Sequence, residues 1–317
     1  MIIAAIVVTC NRLGLLKRCL AALLAQDRRA DRIVVVDNAS TDGTGAWLAS
    51  EGRGLDPSIS LLSIPTNTGG SGGFHAGMRA AYDDGADWLW IMDDDTIASP
   101  TALSSLLAAQ AAFPPALRPW LLASRVVWED GRLHPMNLVA VKQRYHREYL
   151  WSAAHRGCLS IRSATFVSLL IDRRCVRHYG LPLADYFIWN DDVEYTARIL
   201  RHQPGIAVPT SLVLHATRTP YGTHDAEPAR YFYFLRNQAW MLLWSASHDR
   251  PEKLLIAQMW LLNSTLYLLR RRLHPKALWH YARAAWHIVS RRPSRRNEPE
   301  QAPVAAFVDG PVEPPHV

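Results

Sequence analysis

The chain has 317 residues, 49% hydrophobic and 20% charged, enough for two domains or one large one with an appendage. That composition excludes a disordered or collagen-like chain. The net charge of +7 asks for an anionic partner, and four scattered cysteines with no CxxC pair exclude a zinc module and fit reduced thiols.

Residues 2–8 are a β-branched run that predicts a buried parallel strand. The apolar stretch 2–10 has no basic region before it and no cleavage site after it. It is also too short to cross a bilayer, so a cytoplasmic location is expected. Apolar residues at helical spacing follow over 15–25. Residues 32–36 form a second strand, 44–50 a helix, 60–64 a third strand and 73–84 a helix after a glycine-rich turn. A fourth strand over 88–92 closes on three aspartates. This alternation predicts an α/β fold with a mostly parallel central sheet and ligands at the carboxyl ends of its strands. The polar clusters fall there, at 9–12, 37–42, 67–73 and 93–95.

The middle of the chain carries a helix over 103–112, strands over 121–127 and 158–162, and an acidic cluster at 191–194. A strand over 207–215 ends in a histidine. From residue 230 the chain turns helical, aromatic and basic. Residues 250–296 carry a net +10, which leaves −3 for the remainder. The expected division is a catalytic domain over 1–229, a helical membrane-associating module over 230–296 and a disordered, proline-bearing tail over 297–317.

Asp93, Asp94 and Asp95 repel one another at a strand end unless a cation sits among them. In an extended segment, residues i and i+2 point the same way, so Asp93 and Asp95 can aim at one hard cation such as Mg²⁺ or Mn²⁺. Such a metal can hold a diphosphate. Taken alone, a DDD triplet is more often a solvated turn. Asp37 and Asn38 open a polar turn that can bond a base or ribose. Asn67, Gly69 and Gly70 begin a loop whose backbone can approach a phosphate closely, though it is neither a P-loop nor GxGxxG. Asp191 and Asp192 follow an aromatic wall, where a carboxylate can gain a raised pKa and serve as general base. The same acids also suit a helix N-terminus. His215, alone, reads as structural.

Taken in order, the segments VVTCNR (7–12), VVVDNASTDGT (34–44), NTGGSGGFHAG (67–77), WLWIMDDD (88–95), RGCLSIR (156–162), YFIWNDDVEY (186–195), LH (214–215) and YFYFLRN (231–237) resemble glycosyltransferase family 2. These are inverting nucleotide-sugar transferases of GT-A fold. The glycine loop, WNDDVEY and FLRN are most similar to its galactofuranosyl- and rhamnosyltransferase branch, and the DDD triplet and basic helices lean toward the former. The resemblance implies that Thr9, Asn11, Arg12, Asp37, Asn38 and Asn67, with Gly69, Gly70 and Asp94, line the donor pocket. It implies Asp93 and Asp95 as Mn²⁺ or Mg²⁺ ligands, with His215 as a further one, and leaves open which two aspartates bind. It makes Asp192 the base, with Asp191 the rival.

The implied donor is UDP-galactofuranose, with dTDP-rhamnose the alternative, and the implied acceptor a lipid-linked or polysaccharide glycan of the cell surface. Residues 250–296 add a physical reason for a lipid-linked acceptor: an uncharged run over 254–269 followed by Arg270-Arg271-Arg272 suits helices lying peripherally on an anionic membrane. A core helix with a basic end is the plainer alternative. A non-catalytic nucleotide-sugar binder would not need these acids. A nucleic-acid-binding protein would leave them unexplained, so no nucleic-acid partner is expected. The oligomeric state is left open.

Overall fold

A computed structural model describes residues 1–142, 147–219 and 225–294, apart from the side chain of Arg53. The expected disordered tail over 297–317 lies outside them.

The first half follows the predicted alternation: β1 (Ile3–Thr9), α1 (Leu13–Leu24), β2 (Arg32–Asn38), α2 (Thr44–Ser50), β3 (Ile59–Ile64), α3 (Gly69–Asp83) and β4 (Trp88–Asp93). Then come β5 (Thr96–Ala98), α4 (Ala102–Ala111), β6 (Leu121–Val127), β7 (Ala140–Val141), α5 (Arg147–His155), β8 (Leu159–Ser163) and β9 (Leu169–Asp172). The rest is α6 (Arg173–Tyr179), α7 (Asp191–Leu200), β10 (Gly205–His215), α8 (Pro228–Trp244), α9 (Arg250–Arg270) and α10 (Pro275–Ser290).

One sheet runs β3-β2-β1-β4-β9-β6-β10-β8-β7, with β5 against β10. The strands β3, β2, β1 and β4 are parallel, as an alternating chain requires. Beyond β4 the sheet is mixed. β9 lies antiparallel between β4 and β6, while β10 is parallel to β6 and antiparallel to β8. The four residues of β9 show no alternation, because strands buried on both faces carry none.

Both faces of the sheet are covered. One apolar layer joins Val7, Trp90 and Met92 to Leu16 and Leu20 of α1; the other joins Ile6, Val8 and Ile91 to Phe74 and Met78 of α3. α3 can lie this close because it is glycine-rich. A Cβ on Gly73 would stand 2.4 Å from Val8 Cγ1, and one on Gly77 2.6 Å from Ile6 Cγ2. The helix begins at Gly69, four residues before the sequence pattern places it.

The C-terminal helices form their own apolar cluster around Tyr231, Phe232, Leu235 and Tyr267. The rings of Tyr231 and Tyr267 stack 3.5 Å apart, joining α8 to α9. α9 starts with a full capping box, Asp249 with Glu252. The same Glu252 is gripped by Arg162 of β8 at 2.7 and 2.9 Å, and Arg162 also bonds Ala197 O at the back of α7.

Candidate active site

Parallel register brings three strand ends to one edge: Thr9 lies opposite Asp37 across β1–β2, and Val8 opposite Asp93 across β1–β4. β4 stops at Asp93, and Asp94 and Asp95 form the tight turn into β5. Asp93 and Asp95 therefore do not share an extended segment, and the i, i+2 reasoning fails at this point. The turn instead offers Asp94 and Asp95 together to Arg12, whose Nη1 lies 3.3 Å from Asp94 Oδ1 and 2.6 Å from Asp95 Oδ2. Thr9 Oγ1 donates to Asp94 Oδ2 at 2.7 Å. Burial, then the neighbouring Asp95 and Asp94, pushes the Asp93 carboxyl up. Burial raises Asp94 to about 6 against the pull of Arg12 and Thr9. Burial would raise Asp95 too, but His215 and Arg12 hold it below its usual value.

His215 arrives through the antiparallel pairing of β10 with β5, in which His215 faces Thr96. Its Nε2 lies 3.2 Å from Asp95 Oδ1, a buried oxygen with no other hydrogen-bond donor among the described residues. Asn137 sets the tautomer. Its Nδ2 donates to Thr165 Oγ1 at 2.9 Å, so its Oδ1 faces His215 Nδ1 at 2.8 Å and takes that proton. Nε2 is thereby left to face Asp95 Oδ1, as an N–H donor when the ring is protonated and as a lone pair open to a cation when it is not. Two donors about 2.1 Å from an octahedral ion and at right angles stand about 3 Å apart, close to the spacing found. A metal-ligating histidine usually donates its second ring N–H to an oxygen acceptor, the place the Asn137 amide oxygen takes here. The donor set of Asp95 and His215 thus fits Mn²⁺ or Mg²⁺. Among the described residues, no three His, Cys, Asp or Glu side chains already converge as a metal cluster.

The opposite wall is the first turn of α7. Asp191 is buried and Asp192 half-buried. Asp192 Oδ1 accepts from Val193 N–H at 2.7 Å. Burial, then the adjacent Asp191, raises Asp192 to about 7, and burial raises Asp191 as well. Between the walls lies the glycine-rich turn, fixed by Asn38: its Nδ2 donates to Gly69 O at 2.8 Å and its Oδ1 accepts from Thr68 N at 2.9 Å.

A cavity of about 320 Å³ connects these groups. Thr9, Arg12, Asn38, Asn67, Gly69, Gly70, the three aspartates at 93–95, Asp191, Asp192 and His215 all line it. Asn11 and Asp37 do not. Asn11 Oδ1 accepts from Thr41 N at 2.6 Å, and Asp37 Oδ1 accepts from Ser40 N at 3.0 Å, so both brace the loop beside the cavity. Asn137, Phe187 and Arg230 also line it. The sequence does not mark them as site residues: Asn137 sits in an irregular stretch with no motif, Phe187 lies in YFIWNDDVEY ahead of the acids, and Arg230 opens the basic helices.

The glycosyl transferase family 2 profile matches residues 4–154. Galactofuranosyltransferase GlfT1 of Mycobacterium tuberculosis strain H37Rv is 31% identical over 295 residues, covering 88% of this chain and 92% of the relative. Galactofuranosyltransferase GlfT1 of Mycolicibacterium smegmatis is 29% identical over 86% of this chain and 91% of its own. Among solved structures, S. aureus TarS 1-349 in complex with UDP-GlcNAc superposes with a TM-score of 0.61 at 14% identity, covering 91% of this chain and 81% of that one. The mannosyltransferase PcManGT from Pyrobaculum calidifontis, in complex with GDP-Man and Mn²⁺, gives 0.52 at 17% identity, covering 91% and 87%. These likenesses bear out the GT-A fold. With identity of this level over nearly the whole length of a relative, the chain belongs to glycosyltransferase family 2 and is a galactofuranosyltransferase-like glycosyltransferase.

Proposed function

We propose that this protein moves galactofuranose from UDP-galactofuranose to a lipid-linked or polysaccharide acceptor in cell-surface glycan synthesis, with inversion at the anomeric carbon and with Mn²⁺ or Mg²⁺ on the diphosphate. The observation that carries the reading is the cavity, which sets the Asp95–His215 pair against the Asp191–Asp192 pair across a glycine-rich turn. The galactofuranosyltransferase relatives support the choice of sugar, and the nucleotide sugars and Mn²⁺ held by the solved neighbours support the donor class and the metal.

Asp95 and His215 would hold the metal, with Asp93 at the strand end beside them. When bound, the ion offsets charge that builds on the departing diphosphate. Arg12 already places a guanidinium at this wall. Asn38 and Asn67 stand where they can bond the nucleoside or sugar, and the Gly69-Gly70 backbone allows close approach. Asp192 takes the acceptor hydroxyl proton as that oxygen bonds to the anomeric carbon, and the bond from carbon to diphosphate breaks on the opposite face. A carboxyl with a pKa of about 7 suits this work near neutral pH.

The C-terminal helices support a membrane location. α9 exposes Leu254 (63%), Leu261 (59%) and Leu269 (59%), and α10 exposes Trp279 (59%), Trp286 (67%) and Val289 (82%). Arg270, Arg271, Arg272 and Lys276 lie between the two apolar faces in sequence. No described helix is long and apolar enough to cross a membrane. Outward leucine and tryptophan next to arginine fit helices seated in an anionic interface, on the cytoplasmic face where a lipid-linked acceptor would be met.

The donor is tested by thermal shift with Mn²⁺, since a ligand bound only by the folded state raises the melting temperature. UDP-galactofuranose should raise it more than dTDP-rhamnose. The reverse order would move the assignment to a rhamnosyltransferase, and no shift with either would defeat the donor reading.

A further inference from the structure

The acidic pair of α7 follows a backbone that bulky residues rarely adopt. Phe187 has φ 65° and ψ −59°, and Ile188 N–H donates to Tyr186 O at 2.7 Å. This is a γ-turn of the positive-φ form, the rare and strained one. Trp189 (φ 66°) and Asn190 (φ 62°) continue in the left-handed region, and Asp191 is the next residue. Strain of this kind persists only where the surroundings over-determine it, and it concentrates at functional sites.

The surroundings here are two adjacent residues of α8. Asn237 is wholly buried, and its Nδ2 donates to Tyr186 O (2.9 Å), Ile188 O (2.9 Å) and Trp189 O (2.7 Å). Its Oδ1 accepts from Arg236 Nε and Nη2 at 2.9 and 2.8 Å, which fixes the amide orientation. The same Nη2 donates to Asp185 O and Tyr186 O, and the guanidinium lies 4.1 Å from the Trp240 ring centre. Three of the four carbonyls over 186–189 therefore hang on one amide. The turn also reaches the donor side: Phe187 O accepts from Ser71 N at 3.1 Å, and a Cβ on Gly69 would stand 2.0 Å from that oxygen.

We propose that Arg236 and Asn237 are positioning residues of the transfer reaction, holding the strained 186–190 turn so that Asp191 and Asp192 face the acceptor and the glycine-rich turn stays closed. The proposal rests on the transferase reading with Asp192 as base. It also gives the pair a task in the chemistry although α8 lies beyond the segment that carries the acids.

Asn237→Asp keeps the shape and puts a carboxylate oxygen against three carbonyls. Arg236→Lys removes the planar fork that orients the amide. Both are assayed in the full chain by UDP release from UDP-galactofuranose with octyl glycosides as acceptors, alongside UDP affinity and melting temperature. A small displacement of a reacting group costs about 10²-fold. The expected result is kcat down by about that factor in Asn237→Asp, with UDP affinity within about threefold and the acid limb of the kcat–pH profile displaced. Adding Asn190→Gly, which takes positive φ freely, should restore part of the loss. Folded variants with wild-type kcat and an unmoved acid limb would overturn the proposal. If Asn237→Asp does not fold, Arg236→Lys decides by the same two readings. A wild-type chain that releases no UDP overturns the transferase reading and this one with it, whereas an active wild type with unaffected variants overturns this one alone.

Discussion

Asp192→Asn should make the protein more stable and nearly inactive, and the two effects share one cause. Folding places the Asp192 carboxyl beside Asp191 and away from bulk water, lifting its pKa from 3.8 to about 7. Below about pH 4 the group is protonated in both folded and unfolded chains, so it costs nothing. As pH rises from 4 to 7 the unfolded chain releases this proton and the folded one keeps it, so the native state loses stability. Above 7 the loss is complete. Three units at about 1.4 kcal/mol each set a ceiling of about 4 kcal/mol. Asp192 is half-buried and faces the cavity, so water lowers that figure, and about 1–3 kcal/mol is expected. Asparagine keeps the Oδ1 that accepts from Val193 N–H and carries no charge. Without metal or nucleotide, the variant should melt about 2–6 °C higher than wild type at pH 8 and within about 1 °C of it at pH 4. Turnover should fall by about 10²–10⁴, with UDP affinity retained. A variant whose gain in stability over wild type is no larger at pH 8 than at pH 4 would refute the electrostatic reasoning. Retained turnover would refute the base assignment, and a dead Asp191→Asn beside it would move the role by one residue.

Excess EDTA should abolish UDP release. His215→Ala should weaken Mn²⁺ binding, read by the paramagnetic signal of free Mn²⁺, and an unchanged signal would remove His215 from the metal site. Asn137→Leu should weaken Mn²⁺ binding by about 10–100-fold by freeing the His215 tautomer, with the fold intact by circular dichroism. Gly69→Ala combines φ +72° with a Cβ 2.0 Å from Phe187 O, so it should cost at least about 1–3 kcal/mol in denaturant unfolding and lose UDP binding. Leu261→Asp and Trp286→Asp together should release the protein from anionic liposomes at all salt concentrations. Neutralising Arg270, Arg271 and Arg272 should weaken binding chiefly at low salt. Binding that survives both changes would place these helices in a protein contact instead.

The parallel half of the sheet was legible because each strand there carries a continuous apolar run and each ends in polar residues. β1, β2 and β4 deliver Thr9, Asp37 and Asp93 to one edge by register alone, so their proximity follows once the strands are recognised. Side-chain direction did not follow. Asp95 turned out to lie in a turn, and the turn makes Asp94 and Asp95 partners of Arg12 where an extended strand would have paired Asp95 with Asp93. Nor could local pattern reveal a contact between residues far apart in the chain. Asn137 lies 78 positions from His215 and has no periodicity to mark it, yet it decides which ring nitrogen is free. Asn237 stands about 50 positions from the turn it bonds, in the FLRN segment of an aromatic, basic helix, and nothing in that segment says which carbonyls its amide meets. Both act by satisfying groups that local folding leaves open, a ring N–H in one case and three turn carbonyls in the other. Buried polar groups must find such partners, and a chain finds them wherever the fold brings an amide close enough. The acids that carry the chemistry can therefore be read from strand ends and helix starts, while the amides that aim them emerge only from the assembled structure.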